Sequence, residues 1–377
     1  MPATSNQNNH KPPLRYDASY EHLEADEQQV EDKLIDTMLG MSRKTHADSG
    51  HAMRSVHVKS HAIVRGELQV LDNLPPELAQ GLFAAAATYP LVMRFSTTPG
   101  DILPDSVSTP RGLAIKVIGV PGDRLPGSES DTTQDFVVVN GPAFQVKNAK
   151  AFLTTLKPLA ALTDKATGFK EVVSATLRGV ESAIEAVGSD SPKIKNMGGE
   201  PPHHPLGETY FTQVPVLYGN YFGKICVAPV SPELTALTGH KIDITEQENA
   251  LRDALSDHFA QQGGTWEIRI QLCTDVDKMP IEDASVIWPE KESPYIAVGR
   301  IIVSPQPSWI DDTTPDVQDR LSFSPWHGLA AHRPLGSIMR IRKKAYEQSV
   351  RFRSQHNGKA IIEPRSLEDV FGSNNLA

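Results

Sequence analysis

Residues 55–70 read SVHVKSHAIVRGELQV. Their β-branched side chains fall in rough alternation, the period of a strand and not of a helix. The same signature recurs at 90–96 (PLVMRFS), 112–119 (GLAIKVIG), 135–139 (DFVVV), 209–217 (TYFTQVPVL), 221–229 (YFGKICVAP), 265–273 (TWEIRIQLC) and 295–303 (YIAVGRIIV). Gly- and Pro-rich turns separate these eight stretches, and eight strands suffice to close a barrel that fills its own interior or holds one ligand. Helical spacing runs from Glu27 to about Ser42, with further helical inserts near 148–157, 169–187 and 245–262. The expected class is α+β: an eight-stranded antiparallel β-barrel with surrounding helices.

The 377 residues are 39% hydrophobic and 22% charged, a globular composition, and the formal net charge is −9. An acidic chain is a poor partner for nucleic acid, whose binding runs on neutralising phosphates. No run of about 18 apolar residues occurs, so no membrane span is expected. The polar start MPATSNQNNHKPPL resembles neither a signal nor a transit peptide, which leaves the cytoplasm as the expected compartment. Two cysteines, Cys226 and Cys273, lie in apolar runs and read as buried thiols. Residues 1–22 read as a flexible tail and 23–377 as one domain, with the barrel over about 55–303.

One segment departs from the overall charge. Between Arg333 and Arg353 lie seven Arg or Lys residues and one acid, Glu347. Such a run is either a solvated basic face or an anion site. Helical spacing over about 337–354 stacks Arg342 and Tyr346 on one face, with Arg353 two turns on along the same stripe.

Five motifs in one order resemble the haem catalases, specifically their short, catalase-like subgroup. They are RSVHVKS, MRFST, PRGLAIKV, DFVVVNGPAF, and RKKAY followed by VRFR. The likeness spans roughly Arg54 to Arg353. It implies a catalase-like core holding haem b between barrel wall and helix 337–354. The chain stops about two dozen residues after Arg353, short of the C-terminal region of larger members, so NADPH is not expected.

The resemblance also assigns roles. Tyr346 matches the proximal iron ligand, with Arg342 beside its oxygen; tyrosine as the catalase axial ligand is a family property, not a derivation. A free phenol ionises near pKa 10, so a neighbouring cation helps it bind as phenolate. Arg54, Arg94 and Arg353 match cations around the haem propionates, which a guanidinium grips through paired hydrogen bonds. His57 matches the distal acid–base residue and Ser96 the group that orients its ring. Val56, Phe144 and Phe152 match the apolar distal lining. His61 sits four residues after His57, a metal-pair spacing only in a helix, and the strand pattern speaks against it.

Two departures stand out. His57 is followed by VKSHAI, where large members carry small residues. VVVNGPAF holds one asparagine, not two: anchored on Pro142, Asn140 falls on the second family asparagine and Val139 on the catalytic one. Asn140 reaches the site only if the N-G-P turn shifts the backbone by a residue. The implied activity is peroxide O–O cleavage, as dismutation of hydrogen peroxide or peroxidation with organic hydroperoxides. The alternatives are a fatty-acid hydroperoxide isomerase or lyase of the allene-oxide-synthase type, and a non-catalytic haem sensor or store. The expected partner is a small peroxide, with homo-oligomerisation left open.

Overall fold

The computed structural model describes residues 11–98, 100, 102–162 and 199–373. Nine strands form one antiparallel sheet: β1 (Lys59–Val70), β2 (Thr88–Thr97), β3 (Arg111–Val117), β4 (Gln134–Val139), β5 (Tyr210–Phe211), β6 (Val216–Tyr218), β7 (Tyr221–Pro229), β8 (Gly264–Leu272) and β9 (Ile296–Val303). Their order is β5-β4-β3-β2-β1-β9-β8-β7-β6, and a β5–β7 pairing closes eight of them into a ring. The ring is the barrel expected from the alternation. The ninth strand arises because the single stretch read over 209–217 breaks at Gln213, whose φ is +62°. The Gln213 amide donates to Ala143 O at 2.6 Å, so the chain turns there and β6 flanks β7 outside the ring.

The interior follows from period two. On β8, Trp266, Ile268 and Ile270 are fully buried, while Glu267 and Arg269 point outward and pair at 2.7 Å. On β2, Leu91, Met93 and Phe95 join the same interior. The intervening Val92, Arg94 and Ser96 are also buried, because that side of the barrel is covered too.

Seven helices surround the barrel among the described residues: α1 (Glu27–Ser49), α2 (Ala149–Leu162), α3 (Pro232–Thr235), α4 (Ala250–Gln261), α5 (Thr314–Arg320), α6 (Ser337–Asn357) and α7 (Leu367–Phe371). The insert expected at 169–187 lies outside the described residues. Helix α1 runs seven residues beyond Ser42, to a left-handed cap at Gly50 (φ +71°). Its apolar stripe, Val30, Leu34, Met38 and Met41, packs with Leu153 of α2 and Ile341 and Ala345 of α6. Helix α5 was hidden in what the sequence presents as a Pro-rich crossing; Pro315 sits in its first turn, where a missing N–H costs nothing.

Residues 11–22, assigned to a tail by the sequence, lie against the barrel. Leu14 N donates to Cys273 O at 2.8 Å, and Tyr16 N to Asn220 O at 2.9 Å. Glu21 then pairs with Arg333 (2.8 Å) and Arg340 (3.1 Å). Arg340 is also held by Glu27 (2.6 Å) and Glu282 (2.9 Å), and Lys344 by Asp32 (3.0 Å). Much of the basic segment is therefore neutralised within the chain. The backbone N–H groups of Gly336 and Ser337 donate to Glu21 and Glu282, which caps the start of α6 with carboxylates. Both cysteines are buried and free. No described helix is long and apolar enough to cross a membrane.

Candidate active site

The site lies on the outer face of β2–β4, under α6, and cross-strand register builds it. Ser96 pairs with Gly112, and Gly112 with Val139; one step on, Arg94 pairs with Ala114, and Ala114 with Val137. Directly paired residues point to the same face. Two rows therefore cross the wall: Ser96–Gly112–Val139 and Arg94–Ala114–Val137. Above them stands a cavity whose empty space, with its opening to solvent included, is about 630 Å³. Met38, Val56, Ala345, Val350 and Phe323 make it largely apolar.

His57 enters from one end. The strand expected from Ser55 begins only at Lys59, and His57 itself adopts φ +51°. Its Nδ1 lies 3.4 Å from Ser96 Oγ, which is in turn 3.4 Å from Gly112 O. These are long contacts, at the weak end of hydrogen bonding. With Ser96 donating to the carbonyl, Nδ1–H donates to Ser96 Oγ and Nε2 keeps its lone pair. Burial first, then the charges of Arg94 and Arg342, lower the His57 pKa to about 3. The imidazole is thus neutral at physiological pH and free to accept a proton.

Helix α6 supplies the opposite wall. Tyr346, Ser349, Val350 and Arg353 share one stripe and line the cavity, as the helical spacing of Tyr346 and Arg353 required. Arg342 donates to Tyr346 Oη at 2.8 Å.

Three guanidiniums close the far end, gathered on the carbonyls that end α5. Arg54 donates to Gln318 O and Leu321 O, both at 2.9 Å. Arg353 donates to Gln318 O and Asp319 O (3.3 Å each) and to Leu321 O (3.2 Å). Arg94 reaches Gln318 Oε1 at 3.3 Å. Among the described residues none of the three forms an ion pair with a carboxylate; Asp319, the nearest acid to act on Arg54 and Arg353, is paired with His51 at 3.0 Å. The Nε atoms of Arg94 and Arg353 are buried without any partner. Burial, with the Arg353 cation second, pulls Arg94 down to about 9, and burial brings Arg353 to about 10. Arg54 is lowered as well, by burial and then by both neighbouring cations. A guanidinium does not surrender its proton in a protein, so burial leaves these charges costly, and an anion beside them would offset that cost.

Of the residues singled out in the sequence, Arg54, Val56, His57, Arg94, Ser96, Tyr346 and Arg353 line one cavity, and Arg342 touches Tyr346. Besides Arg342, three fall outside its lining. Phe144 and Phe152 meet edge to face with ring centroids 5.2 Å apart, at the edge of the barrel core. Asn140 serves the backbone instead, since its Oδ1 accepts from Arg111 N (2.8 Å) and its Nδ2 donates to Glu200 (2.9 Å). The row position beside His57 belongs to Val139, so the backbone does not shift by the residue that Asn140 needed. His61 is buried elsewhere, its Nε2 3.0 Å from Thr97 Oγ1. Among the described residues no cluster of three or more His, Cys, Asp or Glu could hold a metal ion. Gly112, Ser349 and the carbonyls of α5 went unread. Ser349 stood at i+3 from Tyr346, but Gly112 and α5 required the register.

No family model matches the sequence, and no curated protein does. Solved structures do match. A fungal catalase superposes with a TM-score of 0.56 over 97% of this chain and 74% of its own, at 16% identity. The fold is the catalase fold. A bacterial catalase gives 0.55 over 100% and 68% at 15% identity, and catalase A from Saccharomyces cerevisiae 0.53 over 96% and 75% at 17%. At such identities the likeness to catalases carries the fold alone. What the site does rests on its own residues.

Proposed function

We propose that the chain is a haem-dependent hydroperoxidase that cleaves the O–O bond of small peroxides. One observation carries this reading: a single apolar cavity joins a neutral His57 beside Ser96, a phenol–guanidinium pair at Tyr346 and Arg342, and three arginines lacking an anion. A non-catalytic haem store needs no distal base, so His57 and Ser96 favour an enzyme.

Haem b fits these residues. Its two propionates would meet the cationic cluster of Arg54, Arg94 and Arg353, which line the cavity and have no ion pair to a carboxylate among the described residues. Its apolar macrocycle suits Val56, Met38, Ala345 and Val350. Tyr346 would hold the iron, with Arg342 donating to the phenolic oxygen and favouring phenolate. When bound, the haem iron supplies Lewis acidity and redox capacity for O–O cleavage.

The protein's own part is proton transfer and selection. His57 Nε2 takes the proton from the peroxide oxygen and returns it to the departing one, with Ser96 fixing the tautomer. Val137 lines the cavity, and the lining among the described residues holds no side-chain amide, so a peroxide there would meet a largely apolar wall. That wall favours organic hydroperoxides beside hydrogen peroxide, and it is the feature that keeps lipid-hydroperoxide isomerisation as a second reading. The test is reconstitution with haem b, then two assays: oxygen release from hydrogen peroxide, and loss of alkyl and lipid hydroperoxides with and without a reducing donor. Consumption of a lipid hydroperoxide without donor or oxygen release would favour the isomerase. No peroxide consumption by haem-loaded protein would reject both enzyme readings.

A further inference from the structure

His57 is a non-glycine residue in the left-handed region, at φ +51°. Such a conformation is unfavourable for a side chain with a Cβ and persists only where its surroundings hold it. The hold comes from Arg94. Its NH2 group donates to His57 O at 2.9 Å and to Val58 O at 3.2 Å, the carbonyls on either side of the bend into β1. The same nitrogen also reaches Gln318 Oε1 at 3.3 Å, so one NH2 group serves three acceptors.

The other side of this guanidinium is idle. Arg94 Nε is buried and unpartnered, as is Arg353 Nε nearby. Arg54 and Arg353 crowd onto the carbonyls of Gln318 and Leu321. Three cations brought together without a carboxylate repel one another, and each can relax only by moving off its acceptors. For Arg94, moving off means releasing the His57 carbonyl. A carboxylate bound beside these guanidiniums would balance their charge and leave Arg94 NH2 committed to His57.

We propose that Arg94 is a positioning residue that couples carboxylate binding in the cavity to the backbone conformation of His57. The acid–base residue is then set in place by the acid groups of the ligand it serves. This rests on the haem reading, since two propionates are the carboxylates invoked. It gives Arg94 a role that neither Arg54 nor Arg353 shares, because neither donates to His57.

The test uses the full chain with 15N-labelled histidine and two iron-free probes, protoporphyrin IX and its dimethyl ester. Binding is followed by porphyrin fluorescence, and His57 by its ring 15N signals, assigned with His57→Gln. The free acid should bind at least ~10-fold more tightly than the ester, mid-range for coupled sites, and bring His57 to one sharp set of signals. The ester, once bound, should leave His57 as in the free protein. Arg94→Gln should still bind the free acid through Arg54 and Arg353 but lose the response at His57. Arg94→Lys, which keeps the charge without the guanidinium fork, should not restore it. Arg54→Gln should weaken binding yet keep the response. An ester that orders His57 as the acid does, or an Arg94→Gln protein that still responds, would overturn the coupling and leave the haem reading intact. Failure of wild-type protein to bind either porphyrin would overturn both. The acid–ester comparison needs no variant, so it decides the matter even if the Arg94 substitutions do not fold.

Discussion

Gly112 lies directly beneath the imidazole of His57: a Cβ built on Gly112 would overlap Nδ1 and Cε1 of the ring and press on Ser96 Oγ. The glycine is required here by space, not by backbone conformation, since it sits in regular β3 between Ser96 and Val139. Gly112→Ala should leave the barrel folded and haem binding nearly unchanged, because both other walls are untouched. Peroxide activation should fall by about 10- to 100-fold, the scale set by ångström-level misplacement of a catalytic group. Stopped-flow mixing of haem-loaded protein with peroxide measures it. A rate within about twofold of wild type would show that His57 does not need its present pose.

His57 and His61 should separate cleanly. His57→Ala is expected to slow the reaction with peroxide by at least about 10²-fold while retaining haem. His61, buried against Thr97 away from the cavity, should cost stability of about 2 kcal/mol on truncation and little rate. The pH profile adds a check. Because burial and the Arg94 and Arg342 charges hold His57 near 3, the base form persists from about pH 4 upward, and the bimolecular rate constant should be flat between about pH 5 and 8. An acid limb centred near 6.5 would mean that His57 titrates as if in water.

Tyr346→Phe removes the phenolic oxygen that accepts from Arg342, at a stability cost of about 1 kcal/mol for the lost hydrogen bond. Apolar packing of the ring stays, so thermal unfolding should move by only a few degrees. The haem-loaded variant should lose the charge-transfer absorption of a phenolate-bound ferric iron. Spectra identical to wild type would place the ligand elsewhere.

Val139 and Asn140 invite opposite experiments. Asn140→Ala should loosen the junction with Arg111 and Glu200, lowering stability by about 1–2 kcal/mol, with turnover per bound haem within about twofold. Val139→Asn puts an amide in the row of Ser96 and Gly112. It should raise the ratio of hydrogen peroxide to alkyl hydroperoxide turnover several-fold, consistent with about 1 kcal/mol. Oxygen-electrode and hydroperoxide-loss assays on the same preparations read both. A large loss of activity in Asn140→Ala, with no change in Val139→Asn, would reverse the two roles.

The sequence by itself determined the barrel's strands and the working face of α6. Alternation is a property of a few consecutive residues, and so is the helical stripe that carries Arg342, Tyr346 and Arg353. Both could be read without knowing what lies opposite. Resemblance supplied roles for His57 and Ser96, yet the alternation around His57 suggested extended strand, where the chain instead bends left-handed. Only tertiary structure decided that bend, because Arg94, 37 residues away, holds it through the His57 carbonyl. The place of Asn140 was likewise set by tertiary contacts: Val139, not Asn140, pairs with Gly112 across β3, and Glu200 takes the Asn140 amide. The basic run kept its two readings until Glu21, Glu27 and Glu282 were seen around Arg340, while Arg353 joined Arg54 and Arg94 on the carbonyls at the end of α5, with no ion pair to a carboxylate for these three among the described residues. Contacts of this kind join residues tens to hundreds of positions apart. Local patterning cannot encode them, because which charge meets which is fixed only when the ring closes and the helices settle on its face.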